Sequence, residues 1–352
     1  MIVFIADGNP MIGSGHIMRC LSIADYMKKQ GEEVLFSITS EDYAEKIAMH
    51  GHKIFLSKGD YREMNVYDIQ EVLEKENTSA IFVDSYFVSI SFMQELYVES
   101  KRIGAKLIYI DDICSKPVPA DFILNYNVYA NEAEYISLYN NRDMPELLLG
   151  LHYMPLREEF MYAPCVEIKK GVKNVLISTG GADLFHICLK TLQALAEGKN
   201  NMWRNCNFHI LLGSLNQDKD AIIKYAKEYD NIYLYENCNC VSAVMDKCDI
   251  AVTASGITVY EICKMGLPAI IYTFADNQLS GAKKLEELGV AEYIGDFREL
   301  GIDEFIKLME DRIYELLSYS KRVALSEKMK KLVDAKGCER IYEKILRKTC
   351  EK

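Results

Sequence analysis

The sequence has 352 residues, enough for two domains and long for a single core. Apolar residues make up 49% and charged residues 26%, an ordinary globular balance that excludes disordered and fibrous classes. A net charge of −11 argues against nucleic acid or an anionic membrane as partner, but not against a phosphate ligand, which helix N-termini and backbone N–H groups bind without lysine.

No apolar run reaches the roughly eighteen residues needed to cross a bilayer, so no membrane insertion is expected. The opening MIVFIADGNP has neither a basic leader region nor a small-residue cleavage site. It reads as a first strand, and the expected location is the cytoplasm. The eleven cysteines are scattered through the chain, with Cys20, Cys188 and Cys263 in apolar surroundings, and are expected to be free buried thiols. Cys238 and Cys240 are one residue apart, and no second pair has zinc-site spacing; no metal is expected.

In chain order, the first half alternates apolar runs with amphipathic stretches. Strands are expected at Ile2–Ala6, Glu33–Ser37, Lys53–Leu56, Ala80–Asp84 and Lys106–Ile110. Helices are expected at Ile17–Gln30, Tyr67–Glu76 and Ser89–Ile103; Ile17, Leu21, Ala24 and Met27 fall on one face of the first. The stretch from Pro155 to Val172 breaks this rhythm. Beyond it come strands at Asn174–Ser178, Phe208–Gly213, Ile232–Tyr235, Asp249–Thr253 and Ala269–Thr273, with helices at Leu184–Ala196, Lys219–Tyr229, Val241–Lys247, Thr258–Met265 and Gln278–Glu287. Such alternation predicts an α/β fold of parallel sheets with helices on both faces. The expected division is 1–160, 161–300 and a helical extension over 301–352, which either caps the second domain or returns to the first. In doubly wound sheets ligands bind where strand C-termini open onto a crevice, and two such domains are expected to face one another across a cleft.

Both halves begin with a strand, a glycine-containing loop and a helix. The first loop runs Asp7-Gly8-Asn9-Pro10-Met11-Ile12-Gly13-Ser14-Gly15-His16, the second Thr179-Gly180-Gly181-Ala182-Asp183. Glycine lets backbone approach a ligand, but neither loop has dinucleotide or Walker spacing, and each alone reads equally as a tight turn. His16 is expected at a helix N-terminus, pointing into the crevice. The positive helix end disfavours imidazolium there, leaving a neutral base suited to taking a proton from water. A lone histidine is otherwise a capping or packing residue. Ser255-Gly256-Ile257-Thr258 places a small-residue turn before a helix whose first N–H groups would hold a pyrophosphate, with Glu261 one turn inward for ribose hydroxyls. The plainer reading makes Ser255 an N-cap and Glu261 a solvated residue. Asp276-Asn277-Gln278 forms a third polar loop at the next strand's end.

The stretch Asn239–Gln278 resembles the UDP-binding half of GT-B-fold enzymes related to the N-acetylglucosaminyltransferase that makes lipid II, which have two Rossmann-like domains. Ile12-Gly13-Ser14-Gly15-His16-Ile17-Met18-Arg19-Cys20-Leu21 resembles the opening motif of the UDP-2,4-diacetamido-2,4,6-trideoxy-β-L-altropyranose hydrolase family of pseudaminic acid biosynthesis. Further matches are Asp84-Ser85-Tyr86, Asp111-Asp112, Leu124-Asn125-Tyr126-Asn127, Tyr129-Ala130, Gly150–Phe160 and Ser178–Asp183. The resemblance implies hydrolysis of a UDP-sugar with anomeric inversion, without metal or other cofactor, with His16 as base. It implies Asp7, Gly13, Ser14, Gly15, Tyr86, Asn125, Asn277 and Gln278 as substrate-binding residues. For UDP it implies Gly180, Gly181, Cys240, Ser255, Gly256, Thr258 and Glu261. The family usually has arginine where this chain has Ile5, and a missing charge near the substrate is expected from that. Spore-coat polysaccharide proteins share the motifs; a transferase acting on an acceptor, and a UDP-sugar binder without turnover, are the alternative readings.

Overall fold

The computed structural model describes residues 1–9, 13–57, 65–75, 77–140, 143–197, 205–236 and 238–347. It divides into two compact units: Met1–Glu158 together with the stretch that begins at Ala335, and Glu159–Asp334.

The first unit is built on seven parallel strands: β1 Ile2–Ala6, β2 Val34–Ile38, β3 Lys53–Leu56, β4 Ala80–Asp84, β5 Lys106–Ile110, β6 Phe122–Asn125 and β7 Glu146–Leu149. Their spatial order is β3-β2-β1-β4-β5-β6-β7. β1, β2 and β4 are wholly buried, which is why they read as unbroken apolar runs. Side chains alternate between the two faces. On one face Phe4 stacks between Phe36 and Phe82, ring centroids 5.1 and 4.7 Å apart. On the other, Val3 and Ile5 join Val83, Ile69, Leu73, Phe92 and Leu96 in the helix-covered core. Ile5 is therefore a packing residue in this chain, among apolar side chains.

The second unit repeats the plan with six parallel strands: β8 Asn174–Ser178, β9 Asn207–Leu212, β10 Ile232–Glu236, β11 Ile250–Ala254, β12 Ala269–Thr273 and β13 Glu292–Asp296. They lie in the order β10-β9-β8-β11-β12-β13. The segment after Asp296 is helical in pieces. Helix Phe297–Glu315 is broken at Gly301, whose φ of +68° suits glycine. Helix Tyr319–Met329 stays in this unit, where the buried Arg322 donates to the carbonyls of Lys169 and Lys170 at 2.8 and 2.9 Å. Helix Gly337–Ile345 returns to the first unit: Arg340 donates to the His152 carbonyl at 2.9 Å, and a Cβ on Gly337 would overlap the Met154 carbonyl. Among the described residues no helix is long and apolar enough to cross a membrane. Cys20, Cys188 and Cys263 are buried free thiols.

Candidate active site

In each sheet the strand order reverses beside its first strand, at β1/β4 and at β8/β11. Loops leaving the C-terminal ends of those strands flank a crevice in such sheets. In the first unit they carry Asp7–Gly15 after β1 and Ser85–Tyr86 after β4; Pro10, Met11 and Ile12 lie outside the described residues. The Asp7 amide reaches the Asp84 carbonyl at 3.4 Å, and the Gly13 amide donates to the Asn9 carbonyl at 2.8 Å, with Gly13 at φ +86°. Helix Gly15–Lys29 follows, with Ser14 as its N-cap residue making no side-chain cap bond.

His16 is in the first turn of that helix, but it is only 4% exposed, not projecting into an open crevice as expected. Its Nε2 is 3.9 Å from Asp84 Oδ1, and its ring meets Tyr86 edge-on, centroids 4.6 Å apart at 80°. Nδ1 is buried and has no hydrogen-bond partner among the described residues. Burial lowers the imidazole below its usual 6.5; Asp84 works against that shift and Arg19 adds to it. The shift favours the neutral imidazole, with desolvation rather than the helix end as its main cause.

Arg19, three residues further along the same helix, is buried too. Its guanidinium forks onto both oxygens of Asp84 and donates to Asp112 Oδ2 at 2.9 Å and to the Tyr126 hydroxyl at 2.7 Å. Burial, the largest single influence, would raise the Asp84 carboxyl, but the Arg19 charge, the nearby His16 and the hydrogen bonds from Arg19 and Cys20 together hold the group below the usual carboxylate range. Tyr86 donates to Asp112 Oδ2 at 2.6 Å, and Tyr129 to the Asp112 carbonyl at 2.8 Å. Sequence reasoning gave Arg19, Asp84 and Asp112 no role. All three stand in the quoted motifs, but their meeting depends on strand order. Asn125 is buried and engaged within the protein: its Nδ2 donates to Tyr135 and its Oδ1 accepts from Asn127, at 3.0 Å each.

The second unit's crevice loops are mostly backbone. Gly180 has φ +86° and nothing where a Cβ would stand. Gly213, after β9, lies so close that a Cβ would overlap the carbonyls of Gly180 and Gly181; it went unnoticed in the sequence because close approach leaves no local pattern. Asp183, at φ +49°, accepts from the amides of Ile187 and Cys188 at 2.9 Å each and anchors the loop to the next helix. After β11, helix Ile257–Met265 begins at Gly256, not Ser255, with no side-chain cap and open space beside Gly256. The Gly256 and Val259 amides are taken by the Ala254 and Gly256 carbonyls at 2.9 and 3.2 Å, which leaves the Ile257 and Thr258 amides as the ones an anion could meet. Thr258 is half-buried in its first turn, and Glu261 is buried rather than solvated.

Two other candidates are partly engaged. Gln278 Oε1 accepts from the Phe274 amide at 3.0 Å, stabilising its own loop, while Asn277 beside it is exposed. Cys240 is exposed, but the short helix Val241–Met245 that it precedes is capped by Glu159, whose carboxylate accepts from the Val241 and Ser242 amides at 3.3 and 2.9 Å. Among the described residues no cluster of three His, Cys, Asp or Glu side chains could hold a metal ion.

Residues 174–341 match the family described as Glycosyltransferase family 28 C-terminal domain. An uncharacterized protein of Methanocaldococcus jannaschii is 26% identical over 77% of this chain and 55% of its own length, so the chain spans about half of that relative. The spore coat polysaccharide biosynthesis protein SpsG of Bacillus subtilis is 23% identical over 96% of this chain and 95% of its own. UDP-2,4-diacetamido-2,4,6-trideoxy-beta-L-altropyranose hydrolase of Campylobacter jejuni is 26% identical over 82% of this chain and 97% of its own. Spinosyn rhamnosyltransferase SpnG superposes with a TM-score of 0.62 at 12% identity, covering 97% of this chain and 100% of the other. MurG of Acinetobacter baumannii superposes with a TM-score of 0.58 at 14% identity, covering 98% of each. At those identities the structural likeness is one of fold. The chain has the GT-B fold, with residues 174–341 matching the C-terminal domain of glycosyltransferase family 28.

Proposed function

We propose that the chain hydrolyses a UDP-linked 2,4-diacetamido-2,4,6-trideoxy sugar to UDP and free sugar, with inversion at the anomeric carbon. His16 carries the reading: a buried, neutral imidazole whose Nδ1 has no hydrogen-bond partner among the described residues. The similarity to the Campylobacter jejuni hydrolase, spanning 82% of this chain, supports the substrate class.

In this mechanism His16 Nδ1 takes a proton from water as the water oxygen bonds to C1 of the sugar. The bond from C1 to the phosphate oxygen breaks, and its electron pair leaves with UDP. A nucleoside diphosphate is a stable anion, so no general acid is needed. Amides at Gly180-Gly181 and at the uncapped start of helix Ile257–Met265 stabilise the growing charge. Thr258 adds a hydroxyl, Glu261 takes the ribose, and Tyr86, beside His16, borders the sugar. Asp7, Gly13, Ser14 and Gly15 form the wall of the sugar site, and Asn277 reaches the substrate from the loop after β12. Asn125 and Gln278 serve by shaping their loops.

A second reading has the same base deprotonating an acceptor hydroxyl, favoured by the match of residues 174–341 to a glycosyltransferase domain. Incubating the protein with UDP-2,4-diacetamido sugars and no acceptor separates the two. Stoichiometric UDP and reducing sugar, followed by NMR, is the expected result; UDP release only on adding an acceptor would overturn hydrolysis.

A further inference from the structure

The imidazole of His16 has two neighbours that fix it, and one guanidinium holds both. Asp84 lies on the Nε2 side and Tyr86 packs edge-on against the ring. Arg19 grips Asp84 with two nitrogens and Asp112 with a third, and Asp112 in turn accepts from the Tyr86 hydroxyl at 2.6 Å. The guanidinium has a fourth hydrogen bond: Tyr126 accepts from it at 2.7 Å and presents its ring 5.6 Å away. A buried fork with that many partners has one geometry.

Charge leads to the same place. The charged and titratable groups around His16 are Arg19 on its own helix, Asp84 at the end of β4, Tyr86 beyond it and Asp112 after β5. An uncompensated Asp84 in this dry setting would draw a second proton onto the imidazole and remove the base. Arg19 opposes that pull, and burial of the ring supplies the rest of what keeps the second proton off. The 3.9 Å from Nε2 to Asp84 Oδ1 is too long for a hydrogen bond, so the carboxylate acts through its field and favours the proton on Nε2.

We propose that Arg19 is a positioning residue: through Asp84 and Asp112 it holds His16 as one neutral tautomer, protonated at Nε2, with Nδ1 as the proton-accepting atom. The inference rests on His16 being the base, and deepens that assignment by naming the atom and what orients it.

Long-range 1H–15N spectra of histidine-labelled full-length protein test it without substrate, His16 being assigned by the signals lost in His16→Asn. The wild type is expected to give the Nε2-protonated tautomer at neutral pH. In Arg19→Gln the His16 midpoint is expected to move up by about one pH unit or more, as an unscreened neighbouring carboxylate would cause. Removing a buried guanidinium can unfold a protein, so Asp84→Asn is the companion variant, in which the midpoint is expected to fall. An Nδ1-protonated wild type, or a midpoint unmoved in whichever variants keep a cooperative melt, overturns the role. Failure to hydrolyse UDP-sugars would sink the hydrolase reading and leave this measurement standing, so the two failures are distinguishable.

Discussion

The two sheets reverse strand order at equivalent places, yet their crevice loops are made of different material. At β1/β4 the first unit buries a histidine, an arginine and two aspartates in a network linking residues 65 and 93 positions apart in sequence. At β8/β11 the second unit offers glycine, serine and threonine, and segments 179–186, 213–216 and 255–261 contain no lysine or arginine. One crevice is defined by side-chain charge, the other by backbone N–H groups. The difference follows from the tasks proposed for them. A base must sit in one protonation state, which needs fixed compensating charges around it. A diphosphate is met by amides that cost nothing to reorient and release it again without a buried ion pair to break.

The largest effect that would break this division is at His16. His16→Asn is expected to lower kcat by about 10² to 10⁴-fold while leaving UDP affinity unchanged. Steady-state kinetics and calorimetric titration with UDP read the two separately; a parallel loss in both would mean the crevices do not divide the work. The pH dependence has a definite sign. Burial lowers the folded-state value below 6.5, so the neutral base persists above that pH and the acid limb of kcat/KM lies below it. Below 6.5 the unfolded chain binds a proton that folded His16 resists, so stability falls as pH drops through that range.

How much of this was legible in the sequence differs between the two crevices for the same physical reason. Glycine loops and small-residue turns are local, so Gly180-Gly181 and Ser255–Thr258 could be read directly. The Arg19 cluster could not, because an arginine in a helix looks solvated until strand order brings Asp84 and Asp112 to it. Buried parallel strands gave continuous apolar runs, and these, with the partly exposed edge strands β3 and β10, make ten of the thirteen strands among the described residues that could be read. β6 and β7 have four residues each, and an irregular segment with Pro117 and Pro119 separates β5 from β6 where a helix would mark the rhythm. β13, Glu-Tyr-Ile-Gly-Asp, is an edge strand too polar to stand out.

The second crevice is tested by its backbone contacts. A Cβ at Gly213 would overlap the carbonyls of Gly180 and Gly181, so Gly213→Ala must push the loop aside. The expected cost is about 1–3 kcal/mol, seen as a lower Tm, together with weaker UDP binding. His16 belongs to the other unit, so its NMR titration midpoint is expected to stay where it is. A shifted midpoint would show that the two crevices are not chemically independent.

The smallest effects sharpen the comparison inside the second crevice, between a side chain that supports backbone and one that faces a ligand. Asp183 caps helix Ile187–Glu197 through two amides and takes a third bond, 3.3 Å, from Asn216. Asp183→Ala is expected to cost about 0.5–2 kcal/mol, the range for losing an N-cap, with the left-handed φ of +49° adding to it. Ser255 has no such duty, since the helix after it begins at Gly256 without a side-chain cap. Ser255→Ala should leave the stability of the ligand-free protein within about 0.5 kcal/mol of wild type. If its hydroxyl meets the phosphate, UDP affinity falls roughly fivefold, the value of about 1 kcal/mol for one hydrogen bond. Thermal melts with and without UDP separate the outcomes: Asp183→Ala lowers both curves, whereas Ser255→Ala lowers only the shift that UDP produces. Were Ser255→Ala to lower the ligand-free melt as much as Asp183→Ala, Ser255 would be a structural cap after all, and the backbone would hold the phosphate without it.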